Sequence, residues 1–518
     1  MKLFALLEAL PDAEISDASR LSEEVFSVCC DSRQATDGAI FVCVNGERVD
    51  GHRYAANAYR QGTRIFVIEH DLPNLPTDAV TIKVENSRVA LACLSAAFYG
   101  YPAQKLTMIG ITGTKGKTST ALMIRQVLCD AGIPTGYIGT NGVIYRDFRA
   151  ETANSTPESL DLHYYMKQMA RAGITVLVME VSSQAIKMDR IYGIDFDLCL
   201  FTNFSPDHIG EHEHRDLDEY FECKHRLFTE HHAKTVIYNA DDPRAEEMIS
   251  GCENAEKISI GARENAENIT YTAFDQTPCR IDGKFGMRFS CRCNEAFSGE
   301  DSEKLSVITN IELPQPGAYS VCNALMAFAV CRVLGVPAQK AVETLGRISV
   351  KGRFEMVTLK SRPDTLFVID YAHNGVSLEA VGQAIRSYSP TRVICLLGSV
   401  GGRTQMRRPE LGRAVSTFAD VAVLTADNPD FENPEAIIDD IAESIDTTRC
   451  RVLGIADRAK AIEYVFRTAK PGDVILLAGK GHETYQLVRG EKVPFSERAI
   501  LEACDRRAQA ARRIVDSE

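Results

Sequence analysis

Features typical of membrane, secreted and disordered proteins are absent from this sequence of 518 residues. It contains no apolar run of about 18 residues, the length that a membrane-spanning helix requires, and no low-complexity tract. The stretch from Met1 to Glu8 acquires charge too early for a secretory signal. A composition of 45% hydrophobic and 25% charged residues is that of a globular protein, which we expect to be cytoplasmic.

Zinc-type cysteine arrays and an excess of positive charge are also missing. The 16 cysteines include no Cys-x-x-Cys pair, so reduced and scattered thiols are expected. The 58 basic and 71 acidic residues give a net charge of −13, which argues against a nucleic-acid-binding surface. We therefore expect small-molecule substrates, no nucleic-acid or membrane partner, and a monomer. Any anionic ligand must be held by a local cluster of basic groups.

The most informative segment is a glycine loop that follows an apolar run from Leu106 to Ile111 and precedes a helix-like segment. Glycines let backbone N–H groups converge on phosphate oxygens, while Lys117 can reach the terminal phosphates and Thr118 can ligate Mg²⁺. The loop is shorter than the usual Walker loop, but its strand-loop-helix context favours ATP binding. The predicted ATP-binding residues are Gly113, Thr114, Lys115, Gly116, Lys117, Thr118 and Ser119.

The distribution of apolar runs predicts three α/β domains, as the chain length also suggests. Residues 1–104 contain short β-like runs between helical stretches and form a small domain. Residues 105–350 alternate buried strands with helices, which is typical of a parallel sheet. Within them, residues 256–312 are rich in β-like sequence. Residues 351–518 repeat the alternation and indicate a Rossmann-like domain.

Polar residues follow two strands of the central domain. Glu180 comes directly after the run that ends at Met179, where its carboxylate can hold Mg²⁺ or order the ion's water shell. His208 follows the next such strand and is an imidazole candidate for a second metal ion. Lys224, on a predicted helix, is by itself an ordinary helix-face lysine.

The strands of the third domain also end at polar or glycine residues, where ligands of such sheets bind. The segments concerned are Asp370-Tyr-Ala-His373, Gly398-Ser-Val-Gly-Gly-Arg403, Asp427-Asn-Pro-Asp430 and Gly479-Lys-Gly-His-Glu483.

Taken together, these motifs resemble those of the Mur ligases. The resemblance is carried by the short phosphate loop, Glu180-Val-Ser-Ser183, Thr202-Asn-x-x-x-Asp-His208, Asp370-Tyr-Ala-His373 and Gly479-Lys-Gly-His-Glu483. It extends to the amino terminus, where Asp31-Ser-Arg33 and Asp50-Gly-His52 are similar to the family's uridine-nucleotide domain. It therefore covers essentially the whole chain.

The resemblance implies roles for residues at matching positions. Lys117, Glu180, His208 and Lys224 are the implied catalytic residues, and Lys224 is implied to be carbamylated, which would turn a cation into a possible ligand of Mg²⁺. With Thr118, the last three would also be the metal ligands or lie near the ion. Further ATP contacts are implied for Asn323, Arg353, Asp370 and His373. The implied substrate-binding residues are Cys30, Ser32, Glu47, Arg48, Val49, Asn154, Ser155, Thr156, Ser182, Arg190, Arg403, Asp427, Asn428, Pro429, Asp430, Gly479 and Glu483.

Two segments depart from the family pattern. The segment from Asp207 to His212 has Ile209 and Gly210 where the family pattern has leucine and aspartate. The glycine loop before Arg403 is one residue shorter than the common form. Arg407 and Arg408 are nearby substitutes for Arg403 as the residue that binds the amino-acid carboxylate.

The implied reaction uses ATP and Mg²⁺ to phosphorylate the D-glutamyl carboxylate of UDP-N-acetylmuramoyl-L-alanyl-D-glutamate. An amino acid then attacks the acyl phosphate and becomes the third peptide residue of the peptidoglycan precursor. Positioning and charge neutralisation are the protein's main tasks in such a transfer. Because ATP and the amine would be bound by different domains, we expect domain closure.

The fourth residue of the Asp-Asn-Pro motif bears on which amino acid is added. Family members that use meso-diaminopimelate have arginine there, paired with the substrate's distal carboxylate, whereas this chain has Asp430. A carboxylate repels a carboxylate and attracts an ammonium group. The charge argument favours L-lysine, with L-ornithine and meso-diaminopimelate as alternatives.

Other functions would share the phosphate loop. A folylpolyglutamate synthetase or a cyanophycin-type ligase is one alternative, but the amino-terminal motif and Gly479-Lys-Gly-His-Glu483 argue against it. A P-loop ATPase that couples hydrolysis to motion, or an inactive scaffold, is another. These differ in substrate requirement, because a ligase needs both the nucleotide-peptide and an amino acid, whereas a motor hydrolyses ATP without them.

Overall fold

A computed structural model describes residues 1–10, 12–46, 49–72, 74–207, 209–210, 213–263, 269–293, 308–402 and 405–515. It divides into two compact units. Unit 1 comprises residues 1–261, 265–271 and 325–341, and unit 2 comprises residues 262–264, 272–324 and 342–518. In the described ranges, no helix combines the length and the apolar composition needed to cross a lipid bilayer.

Unit 1 begins with a five-stranded sheet in the order β1-β5-β4-β3-β2, parallel except for its β1 edge. Strands β3 and β4 are buried on both faces, which explains their continuous apolar sequence. The elements are α1 (Leu3–Leu7), β1 (Glu14–Ile15), β2 (Ser27–Cys29), β3 (Ala39–Val42), α2 (Ala55–Arg60), β4 (Ile65–Ile68), β5 (Val80–Lys83) and α3 (Ser87–Tyr99).

The second sheet of unit 1 has the order β13-β12-β11-β6-β10-β7-β8-β9. Strands β13 to β7 in this order are parallel, and β7, β8 and β9 form an antiparallel meander. Its elements are β6 (Thr107–Thr112), α4 (Lys117–Asp130), β7 (Thr135–Gly139), β8 (Gly142–Tyr145), β9 (Phe148–Ala150), α5 (Ser159–Arg171), β10 (Val176–Glu180), α6 (Ser183–Lys187), β11 (Leu198–Phe201), α7 (Leu217–Thr229), β12 (Thr235–Asn239), α8 (Ala245–Met248) and β13 (Glu256–Gly261).

The segment predicted to be rich in β structure contains β13 and three further strands, β14 (Tyr271–Ile281), β15 (Lys284–Cys293) and β16 (Ile308–Leu313). Strands β15 and β16 are antiparallel. Two helices follow, α9 (Ala318–Val333) and α10 (Ala338–Leu345), and the division between the units falls within each of them.

Unit 2 contains the Rossmann-like sheet, in the order β17-β18-β22-β19-β20-β21, with only β17 antiparallel to its neighbour. A separate antiparallel hairpin, β23-β24, follows. The elements are β17 (Glu355–Leu359), β18 (Arg362–Asp370), α11 (Gly375–Arg386), β19 (Arg392–Leu397), α12 (Arg407–Phe418), β20 (Val421–Leu424), α13 (Pro434–Ala442), β21 (Arg451–Gly454), α14 (Arg458–Thr468), β22 (Asp473–Ala478), β23 (Tyr485–Val488), β24 (Glu491–Pro494) and α15 (Glu497–Val515).

The predicted α/β fold with parallel sheets is confirmed, and all 16 cysteines are free thiols. The domain boundaries at residues 104 and 350 remain a prediction.

A buried ion pair connects helices α14 and α15. The Arg458 guanidinium donates from Nε and Nη2 to Glu497 Oε1 at 2.9 and 2.8 Å. It also donates to the carbonyl oxygen of Ala478 at 2.7 Å and of Ala426 at 3.4 Å. Burial raises the pKa of the Glu497 carboxyl, and the positive charge of Arg458 opposes that shift. The pair thus supports the chain immediately before Asp427 and Gly479.

Replacing Arg458 by methionine should destabilise unit 2 by about 3–5 kcal/mol, because the buried Glu497 carboxylate would lose the cation that is hydrogen-bonded to it. Urea unfolding followed by circular dichroism measures the effect as a lower midpoint. The matched control is Arg507→Met, since Arg507 pairs with Glu463 at 2.7 Å on the surface. An equal shift in both variants would contradict a special contribution of the buried pair.

Candidate functional site

The glycine loop connects β6 to α4 and closely approaches the end of β11. Gly113 has φ +138°, and a Cβ atom there would overlap the Thr202 hydroxyl group. Asn203 holds the loop by accepting hydrogen bonds from the backbone N–H groups of Thr114 and Lys115, at 2.8 and 2.9 Å. Gly116, with φ +88°, precedes the first turn of α4. Only glycine therefore fits at position 113. Its absence of a side chain also leaves the backbone of the loop open to a phosphate group.

Two lysines converge on this loop. Lys117 Nζ donates to the carbonyl oxygens of Gly113 and Thr114 at 2.7 and 3.1 Å, and Lys224 Nζ donates to the Gly113 oxygen at 3.0 Å. Lys224 is only 1% exposed, so its interpretation as an ordinary surface lysine of a helix is wrong. Burial, reinforced by the charge of Lys117, holds the pKa of Lys224 well below its usual value.

Glu180, at the end of β10, is 1% exposed and accepts hydrogen bonds from several donors. The Thr118 hydroxyl donates to Oε2 at 3.0 Å, and the Tyr137 hydroxyl donates to Oε1 at 2.5 Å. Thr140 donates from its backbone N–H to Oε1 at 3.0 Å and from its hydroxyl to Oε2 at 3.1 Å. A hydroxyl and a carboxylate side by side are oxygen donors of the kind that Mg²⁺ prefers, so Thr118 and Glu180 fit the predicted ion.

Sequence reasoning missed Tyr137 and Thr140. Both residues are brought to the Glu180 carboxylate by the strand order of the sheet, in which β7 lies beside β10. That order cannot be read from the separate strands.

Four predicted substrate residues of unit 1 lie around Glu180: Ser155, Thr156, Ser182 and Arg190. The hydroxyl groups of Ser155 and Thr140 are 2.9 Å apart. Thr156 Oγ1 donates to the Glu180 carbonyl oxygen at 2.8 Å and accepts from the Ser182 N–H at 3.1 Å, while Arg190 Nη1 donates to the Thr156 carbonyl at 3.1 Å.

The structure describes four further predicted substrate residues of unit 1: Cys30, Ser32, Val49 and Asn154. Asn154 is exposed. Ser32 is 7% exposed and accepts from Asn57 Nδ2 at 3.0 Å, whereas Val49 is 46% exposed. Burial raises the pKa of the Cys30 thiol to about 11.

The described ranges do not include every predicted residue. Four of the predicted site residues lie outside them: Glu47, Arg48, His208 and Arg403.

In unit 2, predicted nucleotide-binding residues surround Tyr371. The Asp370 carboxylate accepts from the backbone N–H groups of Phe354 and Ala372, at 2.6 and 2.7 Å. Burial raises the pKa of Asp370, and the charge of Arg353 opposes that shift. The Arg353 guanidinium lies 4.6 Å and the His373 ring 4.7 Å from the centroid of the Tyr371 ring.

Asn323 is the remaining predicted nucleotide-binding residue of this unit. It lies on α9 and is 8% exposed.

A second cluster of unit 2 is centred on Lys480, which sequence reasoning missed. Its side chain is fully buried, and Nζ donates to Asp427 Oδ1, Asn428 Oδ1 and Glu483 Oε2 at 3.1, 3.0 and 2.8 Å. Asn428 Nδ2 also donates to Glu483 Oε2 at 3.1 Å. Gly479 has φ +109°, and a Cβ there would lie 2.9 Å from Asp427 Oδ2. Lys480 therefore orients the three side chains predicted to bind the amino acid. Its place between two glycines after a buried strand was the available signal.

Pro429 and Asp430 complete this segment. The carbonyl oxygen of Pro429 lies so close to Gly401 that a Cβ there would overlap it. Asp430 Oδ1 accepts from the Gly490 N–H at 2.7 Å, and its backbone oxygen accepts from the Arg489 N–H at 2.9 Å. The Asp430 carboxylate thus supports the β23-β24 turn, a role that the charge argument did not anticipate.

Of the two substitutes for Arg403, Arg408 is held by other groups. Its guanidinium donates to both carboxylate oxygens of Glu432, at 2.8 and 2.7 Å, and to Asp440 at 2.6 Å. It is 1% exposed. Binding a substrate carboxylate would break this pairing, so Arg408 is a poor substitute.

A phosphate loop on one parallel sheet, followed by a Rossmann-like sheet, defines a multidomain nucleotide-dependent α/β enzyme. Three family models match successive regions: the Mur ligase family catalytic domain at residues 24–99, the Mur ligase middle domain at 111–331 and the glutamate ligase domain of Mur ligases at 352–481. The chain belongs to the Mur ligase family. It is an ATP-dependent ligase with the three-domain Mur ligase fold, and its cofactors are ATP and Mg²⁺.

Curated relatives extend the similarity over nearly the whole chain. UDP-N-acetylmuramoyl-L-alanyl-D-glutamate--2,6-diaminopimelate ligase from Chlorobaculum tepidum is 37% identical over 516 residues, covering 97% of this chain and 96% of the relative. The ligase of the same name from Caldanaerobacter subterraneus subsp. tengcongensis is 36% identical over 479 residues, covering 92% and 94%.

Solved structures agree on the fold. A structure of a ligase with that printed name has a TM-score of 0.67 and 24% identity, covering 98% of this chain and 100% of its own. MurF from Acinetobacter baumannii has a TM-score of 0.64 and 18% identity, covering 98% of each chain.

Replacing Gly113 by alanine should weaken ATP binding about tenfold or more, because the methyl group meets Thr202 and the backbone adopts an unfavourable φ. Binding of a fluorescent ATP analogue measures the change. Gly132→Ala is the matched control, since Gly132 also has a positive φ, +83°, with nothing within 4 Å of the added atom. Unchanged affinity in Gly113→Ala would contradict a phosphate-binding loop here.

Proposed function

We propose that this ligase adds meso-diaminopimelate to UDP-N-acetylmuramoyl-L-alanyl-D-glutamate, forming the tripeptide precursor of peptidoglycan. The observation that carries the proposal is the similarity, at 37% identity over 97% of the chain, to a relative named for that reaction. The relatives give no support to the L-lysine preference expected from Asp430. The hydrogen bond from Gly490 to Asp430 weakens that expectation further, because it gives the carboxylate a structural role.

The chain's own residues support the proposed division of tasks. Lys117 and the backbone N–H groups of residues 113–119 would bind the ATP phosphates, and Thr118 with Glu180 would hold Mg²⁺, which neutralises phosphate charge when bound. Ser155, Thr156 and Arg190 lie within a short hydrogen-bonded chain of Glu180, where they would orient the nucleotide-peptide. The D-glutamyl carboxylate of the nucleotide-peptide would then face the terminal phosphate of ATP, as acyl-phosphate formation requires.

Residues of unit 2 would bind the other participants. Arg353, Asp370 and His373, together with Asn323, would contact the nucleotide. The cluster held by Lys480 would receive the amino group of diaminopimelate, because Asp427 and Glu483 carry two negative charges against one ammonium. Arg403 would bind the α-carboxylate.

Lysine ligation is the second candidate, favoured by the negative charge of Asp430 itself. L-Ornithine would be accommodated for the same reason. A P-loop ATPase without ligation is disfavoured by membership of the family.

Phosphate release should require ATP, Mg²⁺, the nucleotide-peptide and meso-diaminopimelate together. L-Lysine and L-ornithine should give at most about a tenth of that kcat/KM, because a second carboxylate bound by a cation contributes about 1.5–3 kcal/mol. A coupled phosphate assay with each component omitted in turn measures this. Preference for lysine would overturn the proposed substrate, and release without any amino acid would overturn ligation.

Lys224 is proposed to react with carbon dioxide. Its neutral amine would form the new C–N bond, and a proton would pass to water, leaving a carbamate anion. The lowered pKa of Lys224 favours the neutral amine, and its position at the Gly113 carbonyl oxygen of the phosphate loop would give the anion a role beside Mg²⁺.

A ¹³C carbamate resonance should appear when the enzyme is equilibrated with ¹³C-bicarbonate, and Lys224→Gln should remove both the resonance and turnover. Lys234→Gln is the control, because Lys234 is an exposed lysine paired with Asp197. A carbamate resonance that persists in Lys224→Gln would place the modification elsewhere, and full turnover in that variant would contradict its role.

A further inference from the structure

Arg489 occupies an unfavourable backbone conformation at the tip of the β23-β24 hairpin. It has φ +51° and is followed by Gly490 with φ +81°. A two-residue hairpin turn with two positive φ angles favours Asn, Asp or Gly at its first position, and arginine there costs free energy. Strained residues held by their surroundings are concentrated at functional sites, so the side chain deserves a functional explanation.

The hairpin is tied to the Asp427–Asp430 segment along its length. Gln486 Nε2 donates to the Asp427 carbonyl at 2.8 Å, and the Leu487 N–H donates to Asn428 Oδ1 at 2.9 Å. The Asp430 N–H donates to the Leu487 carbonyl at 3.0 Å, and the return contacts from Arg489 and Gly490 to Asp430 are 2.9 and 2.7 Å. This ladder fixes the turn, and with it Arg489, directly beside Asp430.

The carboxylates around this segment outnumber the lysine that contacts them. Asp427, Asp430 and Glu483 contribute three carboxylates, and Lys480, which is fully buried, faces only the first and last of them. A substrate carboxylate placed beside Asp430 would be repelled by its negative charge, so binding there requires a cation.

Other described cations nearby are engaged. Arg408 is paired with Glu432 and Asp440, and Lys492 lies 4.2 Å from the centroid of the Tyr485 ring. The Arg489 guanidinium is exposed and makes no hydrogen bond or ion pair with the described residues.

We infer that Arg489 binds the second carboxylate of the incoming amino acid and thereby selects a substrate with two carboxylates. The inference rests on the proposed diaminopimelate ligation. A guanidinium suits the task because its two parallel N–H donors match the two oxygens of a carboxylate. Asp430 then acts as a positioning residue that fixes the turn through Gly490, and its sequence position does not by itself report the substrate.

Arg489→Asn tests the inference without threatening the fold, since asparagine suits the turn better than arginine. We expect KM for meso-diaminopimelate to rise about 10- to 100-fold, with kcat and KM for ATP little changed, because one charge-assisted contact is lost. Any slow turnover of L-lysine should be unchanged. Lys492→Gln, which removes another exposed cation of the same hairpin, should leave both amino acids unaffected.

Asp430→Asn supplies the second measurement. Asparagine keeps an oxygen that can accept from Gly490, so the turn should survive while one negative charge is removed. We expect an unchanged or lower KM for meso-diaminopimelate. A large loss of lysine turnover in this variant would instead assign substrate binding to Asp430.

The outcomes separate the inference from the proposed function. If the unmodified enzyme uses meso-diaminopimelate and Arg489→Asn leaves its KM unchanged, the inference is wrong while the proposed function stands. If the unmodified enzyme uses L-lysine instead, both are wrong. A raised KM confined to meso-diaminopimelate in Arg489→Asn supports both.

Discussion

The cost of burying charge at the carboxyl ends of parallel strands governs both clusters of this protein. Glu180, Lys480 and Arg458 are each at most 1% exposed, and each is surrounded by groups that stabilise its polar atoms. A buried ionisable group without such partners would be strongly destabilising. The partners therefore restrict each side chain to one orientation. The same interactions that make burial tolerable also position the residues that a ligase needs.

The sequence predicted the strands well because most are continuous apolar runs. The apolar sequence from Arg392 to Leu397 forms β19, and the phosphate loop lies between a strand and a helix as expected. Glu180 was found because a carboxylate after such a run is unusual. By contrast, Lys224 gave no local signal, since its helix sequence does not reveal which face the sheet covers. Only the family resemblance identified it.

Side-chain partners that depend on strand order were not predictable. Tyr137 reaches Glu180 because β7 and β10 are neighbours in the sheet, although β8 and β9 separate them along the chain. For Asp430, the difficulty lay in the charge of the residue itself. Its charge invited a direct electrostatic interpretation, but its carboxylate is engaged by a backbone group of a hairpin about 60 residues later in the chain, at Gly490. Residue type alone could not distinguish these roles.

The Thr140 hydroxyl group lies between Ser155 and Glu180, at 2.9 and 3.1 Å. A hydroxyl has a single proton, so when it donates to Glu180 it can only accept from Ser155. Any ligand that changes the hydrogen bonding of Ser155 therefore changes the donors available to the Glu180 carboxylate, and an ion at Glu180 acts back on Ser155. By thermodynamic reciprocity, the two occupants must alter each other's affinity by the same factor. The single proton of the Thr140 hydroxyl therefore couples binding at Ser155 to binding at Glu180.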